Sequence, residues 1–342
     1  MAGPPTDVPS ERVAIVGDGQ MALALADLLA WKGMVPLLWS PFPNDAAQLR
    51  RTRASVRLPE FRLDDAVVVE GDDGHCLGDA TLLVNAIPTQ FMRATWDRLA
   101  PHVEKGGAPV VSVAKGIELS RHKRPSEILA ESLGERVGVV ALSGPTIATE
   151  LVRHLPAVLV AASTDAALAA RVASLFASPW TRIYSHGDVL GVELAGALKN
   201  VIAIAAGIID GARLGTNAKS ALLARGLAEI VRFGAAMGAR PETFFGVAGV
   251  GDLATTCFSP EGRNRSFGEA IARGGAAREL LEHGTCVVEG APTAKAVRQI
   301  AIERGIDMPI TDAVYAIVFE GRAPSDALAE LMRRTAGAER IG

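Results

Sequence analysis

The sequence predicts an α/β fold in its first half, a doubly wound parallel sheet, followed by an all-α C-terminal domain. Three observations carry this. Short runs rich in β-branched residues alternate with Ala- and Leu-rich helical stretches as far as about residue 187. Those runs are continuously apolar rather than alternating, as strands covered on both faces must be. Beyond residue 187 almost every segment has helical composition, with few strand signals between.

Taken in order, Arg12–Val16 is a strand ended by glycine, and Met21–Trp31 is a helix that Gly33 stops. Further strands are expected at Val35–Trp39, Ala66–Val69, Thr81–Ala86, Pro109–Val113, Val137–Leu142 and Ala157–Ala161, with helices at Gln90–Leu99, Pro125–Leu133 and Asp165–Ala177. This alternation is the pattern of a doubly wound sheet. In the second half, helices are expected at Val189–Ile209, Asn217–Met237, Arg265–Ala272, Thr293–Arg304 and Pro324–Met332. Ala and Gly on many faces of the first two permit close helix approach. The boundary falls at His186–Gly187–Asp188, which gives a flexible N-terminal segment 1–11, a first domain 12–187 and a second domain 188–342.

Composition narrows the function. The 342 residues carry 35 Lys+Arg against 38 Asp+Glu, a net charge of −3, which argues against a basic nucleic-acid binder. The chain is 49% hydrophobic, so disorder is excluded as well. Mean hydropathy is +0.24, yet the longest apolar run, Val201–Ile209, is closed by Asn200 and Asp210. A bilayer span takes about 20 apolar residues, so no membrane span is expected. The N-terminus lacks a hydrophobic signal region, and Cys76, Cys257 and Cys286 have no paired spacing. A cytoplasmic protein without disulfides is expected. The six histidines show no metal-ligand spacing, and no metal site is expected.

The chemistry-bearing motifs lie at strand ends. Gly17-Asp18-Gly19-Gln20-Met21-Ala22 joins the first strand to the first helix. In a dinucleotide fold the first glycine makes the tight turn and the second lets the backbone approach the pyrophosphate. The third small residue packs helix on strand, and the phosphates meet the helix N-terminus. A Rossmann-type, dinucleotide-binding first domain is therefore expected. The second strand ends in Trp39-Ser40-Pro41, without the acid that would hold a ribose 2′-hydroxyl. Arg50, Arg51 and Arg53 follow, where a basic helix face or a 2′-phosphate site are the alternatives. The cofactor choice stays open between NAD and NADP, with NADPH slightly favoured.

Asn85-Ala86-Ile87-Pro88, Val113-Ala114-Lys115-Gly116 and Ser143-Gly144-Pro145-Thr146 follow three further strands, on the edge that faces a ligand crevice in this topology. Pro88 is taken as a cofactor contact. Lys199 stands in an otherwise small and apolar helix, Glu193-Leu-Ala-Gly-Ala-Leu-Lys199-Asn200. Such a charge snorkels to water or faces a polar cavity. Beside Lys115, its pKa would be depressed by like charge and desolvation, which suits a proton donor to a carbonyl oxygen as hydride arrives. Gly249-Val-Gly-Asp252 and Gly262-Arg263-Asn264-Arg265 suit phosphate binding or an ordinary surface loop.

Together these segments, from Val13 to about Ala294, resemble the bacterial-type NAD(P)-dependent glycerol-3-phosphate dehydrogenases. The most specific stretch is Gly191-Val-Glu-Leu-Ala-Gly-Ala-Leu-Lys-Asn-Val-Ile-Ala-Ile-Ala-Ala-Gly207. It is supported by Lys115-Gly116-Ile117-Glu118, Ser143-Gly144-Pro145, Asn217-Ala218-Lys219, Arg225-Gly226-Leu227, Gly249-Val-Gly-Asp-Leu253 and Arg263-Asn264-Arg265. The resemblance implies reversible reduction of dihydroxyacetone phosphate to sn-glycerol 3-phosphate, a phospholipid precursor. It implies that Lys199 is the acid/base, with Lys115 touching substrate and cofactor and Asp252 in the same site. Gly144, Thr146, Asn200, Thr256, Arg263 and Asn264 would surround the substrate, and a homodimer is implied. Gly17, Gly19, Gln20, Met21, Ala22, Ala148, Arg263, Val287 and Glu289 would meet the cofactor.

This chain departs from the family pattern at Gln20-Met21-Ala22, at Gly262 and at Ser40–Pro41. The family usually has Ser, an aromatic residue and Gly at the first of these, a Ser before Arg-Asn at the second, and often an Arg at the third. Two alternatives stand beside this reading: a related two-domain dehydrogenase of another small hydroxy or keto acid, and a non-catalytic NAD(P)-binding sensor.

Overall fold

Nearly every apolar run of the first half becomes a strand of one sheet in the computed structural model, which describes residues 11–103, 107–284 and 287–334. The sheet and its helices run β1 (Val13–Val16), α1 (Gln20–Trp31), β2 (Leu37–Trp39), α2 (Pro43–Thr52), β3 (Ala54–Ser55), β4 (Leu58–Arg62), β5 (Val68–Glu70), α3 (Asp73–Leu77), β6 (Leu82–Asn85), α4 (Thr89–Leu99), β7 (Val110–Ser112), α5 (Pro125–Leu133), β8 (Val139–Ser143), α6 (Ala148–Leu151), β9 (Ala157–Ala162), α7 (Ala166–Phe176) and β10 (Thr181–His186). The helical half contributes α8 (Val189–Gly211), α9 (Gly215–Ala236), α10 (Asp252–Phe258), α11 (Arg263–Ala272), α12 (Ala277–His283), α13 (Gly290–Arg304), α14 (Pro309–Phe319) and α15 (Pro324–Arg333).

The sheet order is β10-β9-β8-β7-β6-β1-β2-β5. From β5 to β8 all neighbours are parallel, and β1, β6 and β7 are buried along their whole length. One apolar layer, containing Leu23, Leu29, Leu168 and Phe176, covers one face; another, containing Met92, Trp96 and Ile128, covers the other. The expected doubly wound parallel sheet is observed, with one reversal: β9 pairs antiparallel with β8, and β10 follows β9 in parallel. The link from β8 to β9 contains only the single turn α6. It does not carry the chain back along the sheet, as a parallel crossover requires.

Several elements escaped the sequence reading, among them β10, the β3–β4 hairpin and α14. β10 is an edge strand with mostly uncovered, polar residues, so it lacks an apolar run. β3 and β4 form a small separate hairpin. The residues of α14 are rich in Ile, Val, Tyr and Phe, which read poorly as helix. Tertiary contacts settle it, since Glu229 of α9 accepts bonds from Ile310 N (2.8 Å), Thr311 N (2.8 Å) and Thr311 Oγ1 (2.7 Å) in its first turn.

The chain forms two compact units, and the second is not contiguous. Residues through Ala114 and Pro125–Val189 make the first; Lys115–Arg124 joins Leu190 onward in the second. The ten-residue excursion was expected inside 12–187. It belongs with the helices because Ile117, 2% exposed, is part of their core with Leu194, Leu198 and Phe233. Buried Glu193 also binds Arg124 at 2.5 Å. Of the expected flexible segment 1–11, residues 1–10 lie outside the described residues. Glu11 accepts two bonds from Arg171 (2.8 and 3.0 Å) and so is fixed.

Helix α8 is long and apolar enough to cross a membrane by length and composition, but it is mostly buried within the second unit. Its glycines let α11 cross it backbone to backbone. A Cβ at Gly207 would stand 1.8 Å from the Arg265 carbonyl oxygen, and one at Gly268 2.0 Å from that of Ile204.

Candidate active site

In the first unit the loops that follow β1, β6 and β8 carry the expected cofactor residues. Gly17 has φ +121°, and a Cβ there would lie 3.0 Å from the Ala86 carbonyl oxygen, so only glycine makes this turn. Gly19 caps α1 with no side-chain partner, and a Cβ there would meet nothing within 4 Å. Its small size is thus not demanded by protein packing. Open space before the unpaired N–H groups of a twelve-residue helix fits a dinucleotide pyrophosphate. Ala22 is fully buried in the core, whereas Gln20 is exposed and Met21 half-buried. Pro88 caps α4, just past β6.

Ahead of Pro88, Asn85 accepts from Trp96 Nε1 (2.9 Å) and donates to Ser112 Oγ (3.0 Å). The first bond ties α4 to the end of β6, and the second ties the ends of β6 and β7 together. Past β8, Gly144 has φ +142° and accepts from Thr146 Oγ1 (3.1 Å), and Ala148 begins α6.

Of the three arginines singled out after β2, Arg51 is exposed and makes no side-chain hydrogen bond or ion pair among the described residues, whereas Arg50 and Arg53 are used elsewhere. Arg50 donates from Nε and Nη2 to the Val69 carbonyl, and Arg53 donates to those of Asp64, Asp65 and Val67. The guanidinium that does stand near the glycine turn belongs to Arg57, which sequence reasoning missed. It donates to Asp18 Oδ2 (3.0 Å) and Asp45 Oδ2 (2.9 Å). The signal available was an acid, Asp18, inside a Gly-Asp-Gly turn.

The second unit assembles the charged residues. One turn of π-helix, Val247–Gly251, leads directly into α10 and sets Asp252 at its start, 1% exposed. Asp252 Oδ1 accepts from Lys199 Nζ at 2.6 Å and Oδ2 from Lys115 Nζ at 2.7 Å, so one carboxylate bridges two ammonium groups. Lys199 Nζ also donates to Thr256 Oγ1 (2.5 Å), one turn further along α10. Burial lowers the Lys199 pKa to about 8; the charge of Lys115 pushes the same way, and Asp252 opposes both.

Asn200, next in α8, donates from Nδ2 to the Lys115 carbonyl (2.9 Å), which fixes the backbone that carries that lysine. Asn200 Oδ1 accepts from Asn264 Nδ2 (3.0 Å), and Asn264 Oδ1 accepts from Gly290 N (2.9 Å) at the start of α13. The predicted residues Lys115, Lys199, Asn200, Asp252, Thr256 and Asn264 are thus brought into one connected network.

Arg263, the first residue of α11, is exposed and makes no hydrogen bond or ion pair among the described residues. Val287 precedes α13 and Glu289 caps it. Cys257 is no nucleophile, because burial pushes its thiol up to about 12.

The comparisons with known proteins agree with this geometry. Residues 12–169 match the N-terminal family of NAD-dependent glycerol-3-phosphate dehydrogenase, and residues 188–329 match its C-terminal family. The glycerol-3-phosphate dehydrogenase [NAD(P)+] of Prosthecochloris aestuarii is 42% identical over 325 residues, covering 94% of this chain and 98% of that protein. That of Moorella thermoacetica is 41% identical over 325 residues, covering 95% and 96%. The crystal structure of glycerol-3-phosphate dehydrogenase from Coxiella burnetii superposes with a TM-score of 0.90 at 32% identity, covering 95% of this chain and 99% of that one. The chain belongs to the NAD-dependent glycerol-3-phosphate dehydrogenase family.

Proposed function

We propose that the chain interconverts dihydroxyacetone phosphate and sn-glycerol 3-phosphate with NAD(P)H, and that Lys199 is its acid/base. The observation that carries the assignment is the buried Lys199 ammonium, with a pKa of about 8, held by Asp252 and Thr256. An ammonium has three N–H donors. Two are committed, one to each partner, which leaves one for a substrate oxygen. A bound dihydronicotinamide would supply the hydride to the substrate's carbonyl carbon.

Lys199 gives its proton to the carbonyl oxygen as that oxygen gains charge, and as a neutral amine it takes the proton back in the reverse direction. A pKa near 8 keeps both forms accessible around neutral pH. Lys115 supplies a second positive group that polarises the same oxygen, and Asp252 keeps the two ammonium groups together despite their repulsion. Asn200 and Asn264 hold the frame. Arg263, unpaired among the described residues, is assigned the substrate phosphate, for which its fork is suited. Gly144 and Thr146 are assigned to the substrate, and Gly17, Gly19, Gln20, Met21, Ala22, Pro88, Ala148, Val287 and Glu289 to the cofactor. We further assign the chain to the cytoplasm as a homodimer, a state that sedimentation of the purified protein tests.

The decisive variant is Lys199→Met. It preserves length and leaves Asp252 paired with Lys115. Loss of about 10²–10⁴-fold in turnover is expected, with NADH binding retained and the melting temperature lowered, since one member of a buried ionic group is removed. Turnover near the wild-type rate would remove Lys199 from the chemistry.

A further inference from the structure

We propose that this chain selects NAD(H) over NADP(H), and that Asp18, inside the glycine turn, is the selecting residue. The inference rests on the reading that this turn holds the dinucleotide. In this fold the adenine ribose lies where the end of β2 adjoins the turn, and an acid at the end of β2 normally accepts from its 2′-hydroxyl. Here that position is Ser40, fully buried, whose Oγ donates to Asp18 Oδ2 at 2.7 Å. Ser40 thus steers a carboxylate that comes from the turn itself, and the acid missing from β2 is supplied by the other side of the same corner. Asp18 Oδ2 is taken by Ser40 and Arg57. Its Oδ1 has no hydrogen-bond donor among the described residues, and it is the atom assigned to the ribose hydroxyl.

The same cluster disfavours a 2′-phosphate. Arg57 is the cation at this corner, and it is shared between Asp18 and Asp45 while lying 5.6 Å from the centre of the Phe42 ring. Two carboxylates against one guanidinium leave a net negative charge, to which a phosphate of charge near −2 is repelled. Of Arg50, Arg51 and Arg53, for which the sequence left a basic helix face or a 2′-phosphate site as alternatives, Arg50 and Arg53 are bound to backbone carbonyls, and Arg51 lies on the exposed helix face. Selection of NAD(H) runs against the slight lean toward NADPH drawn from those arginines.

Equilibrium binding of NADH and NADPH to the full chain, by calorimetry or nicotinamide fluorescence, tests this apart from turnover. Wild type is expected to bind NADH at least about tenfold more tightly. Asp18→Asn should weaken NADH and strengthen NADPH, narrowing or inverting the ratio. Asp45→Asn, which frees Arg57 from one partner, should strengthen NADPH about threefold with little change for NADH. Arg57→Gln should weaken NADPH alone.

Equal or tighter NADPH binding by wild type would overturn the proposal, as would variants that change both affinities together. In those cases the dinucleotide reading of the turn survives. Binding of neither nucleotide would overturn both.

Discussion

Replacing Asp252 by Asn tests the charge arrangement most directly. The side chain keeps its shape but loses the charge that each lysine faces at 2.6 and 2.7 Å. Lys199 then keeps the burial and the Lys115 repulsion that lower its pKa, while losing the attraction that opposes them. An adjacent opposite charge is worth roughly 1–3 pKa units, so the wild-type value of about 8 should fall by that amount. The protonated fraction near neutral pH would drop from most of the protein to about half or less, even at the small end of that range.

Removing one member of a buried ionic group also costs about 3–5 kcal/mol, and a lowered melting temperature should accompany the variant. The assay is the pH–rate profile for reduction of dihydroxyacetone phosphate, followed by nicotinamide absorbance. Wild-type activity should decline as pH rises through about 8, where Lys199 loses its proton, and in Asp252→Asn the decline should begin one to three units lower. An alkaline limb left unmoved would refute the reasoning, even if the rate itself fell.

Other perturbations have equally definite outcomes. Arg263→Ala should raise KM for dihydroxyacetone phosphate by about 10–150-fold, the worth of a charge-assisted hydrogen bond, with a smaller change in kcat; an equal loss with unphosphorylated hydroxyacetone would contradict the phosphate assignment. Gly268→Ala forces a methyl toward the Ile204 carbonyl at 2.0 Å, and overpacking there should cost about 1–3 kcal/mol or more, read as a lower melting temperature. Glu229 has its pKa raised by burial above the ordinary 4.5, so the folded state holds that proton more tightly than the unfolded one. Its contribution to stability should therefore be greatest below pH 4.5 and decline as pH rises through the raised value. Glu229→Gln should abolish this dependence, measured by melting across the acid range, at a cost of about 1–3 kcal/mol for the lost acceptor.

Much of this fold was legible because covered strands must be apolar throughout. β1, β6 and β7 announce themselves in that way. The edge strand β10 does not, since most of its residues are uncovered. The reversal at β9 was hidden for a different reason: strand direction depends on how far the intervening chain travels, and that is a property of α6 rather than of either strand. Lys199 was conspicuous as a charge among small apolar residues. Its pairing with Lys115 through Asp252 links positions 137 and 53 residues apart, and no local pattern encodes such a distance. Asp18 and Arg57 were overlooked because selectivity was sought at the end of β2, where this chain places a serine.

The excursion Lys115–Arg124 bears on how the protein can be divided. A fragment beginning near residue 188 contains every helix of the second unit but lacks the ten residues that complete it. Glu193 would lose Arg124, and Asp252 one of its two ammonium partners. Such a piece would expose the apolar surface that Ile117 covers and strand a buried carboxylate, at a cost of several kcal/mol. The two halves are therefore not interchangeable cassettes. Recombination with a relative would have to exchange the excursion together with the helices, or the reacting lysines would be drawn from two different parents.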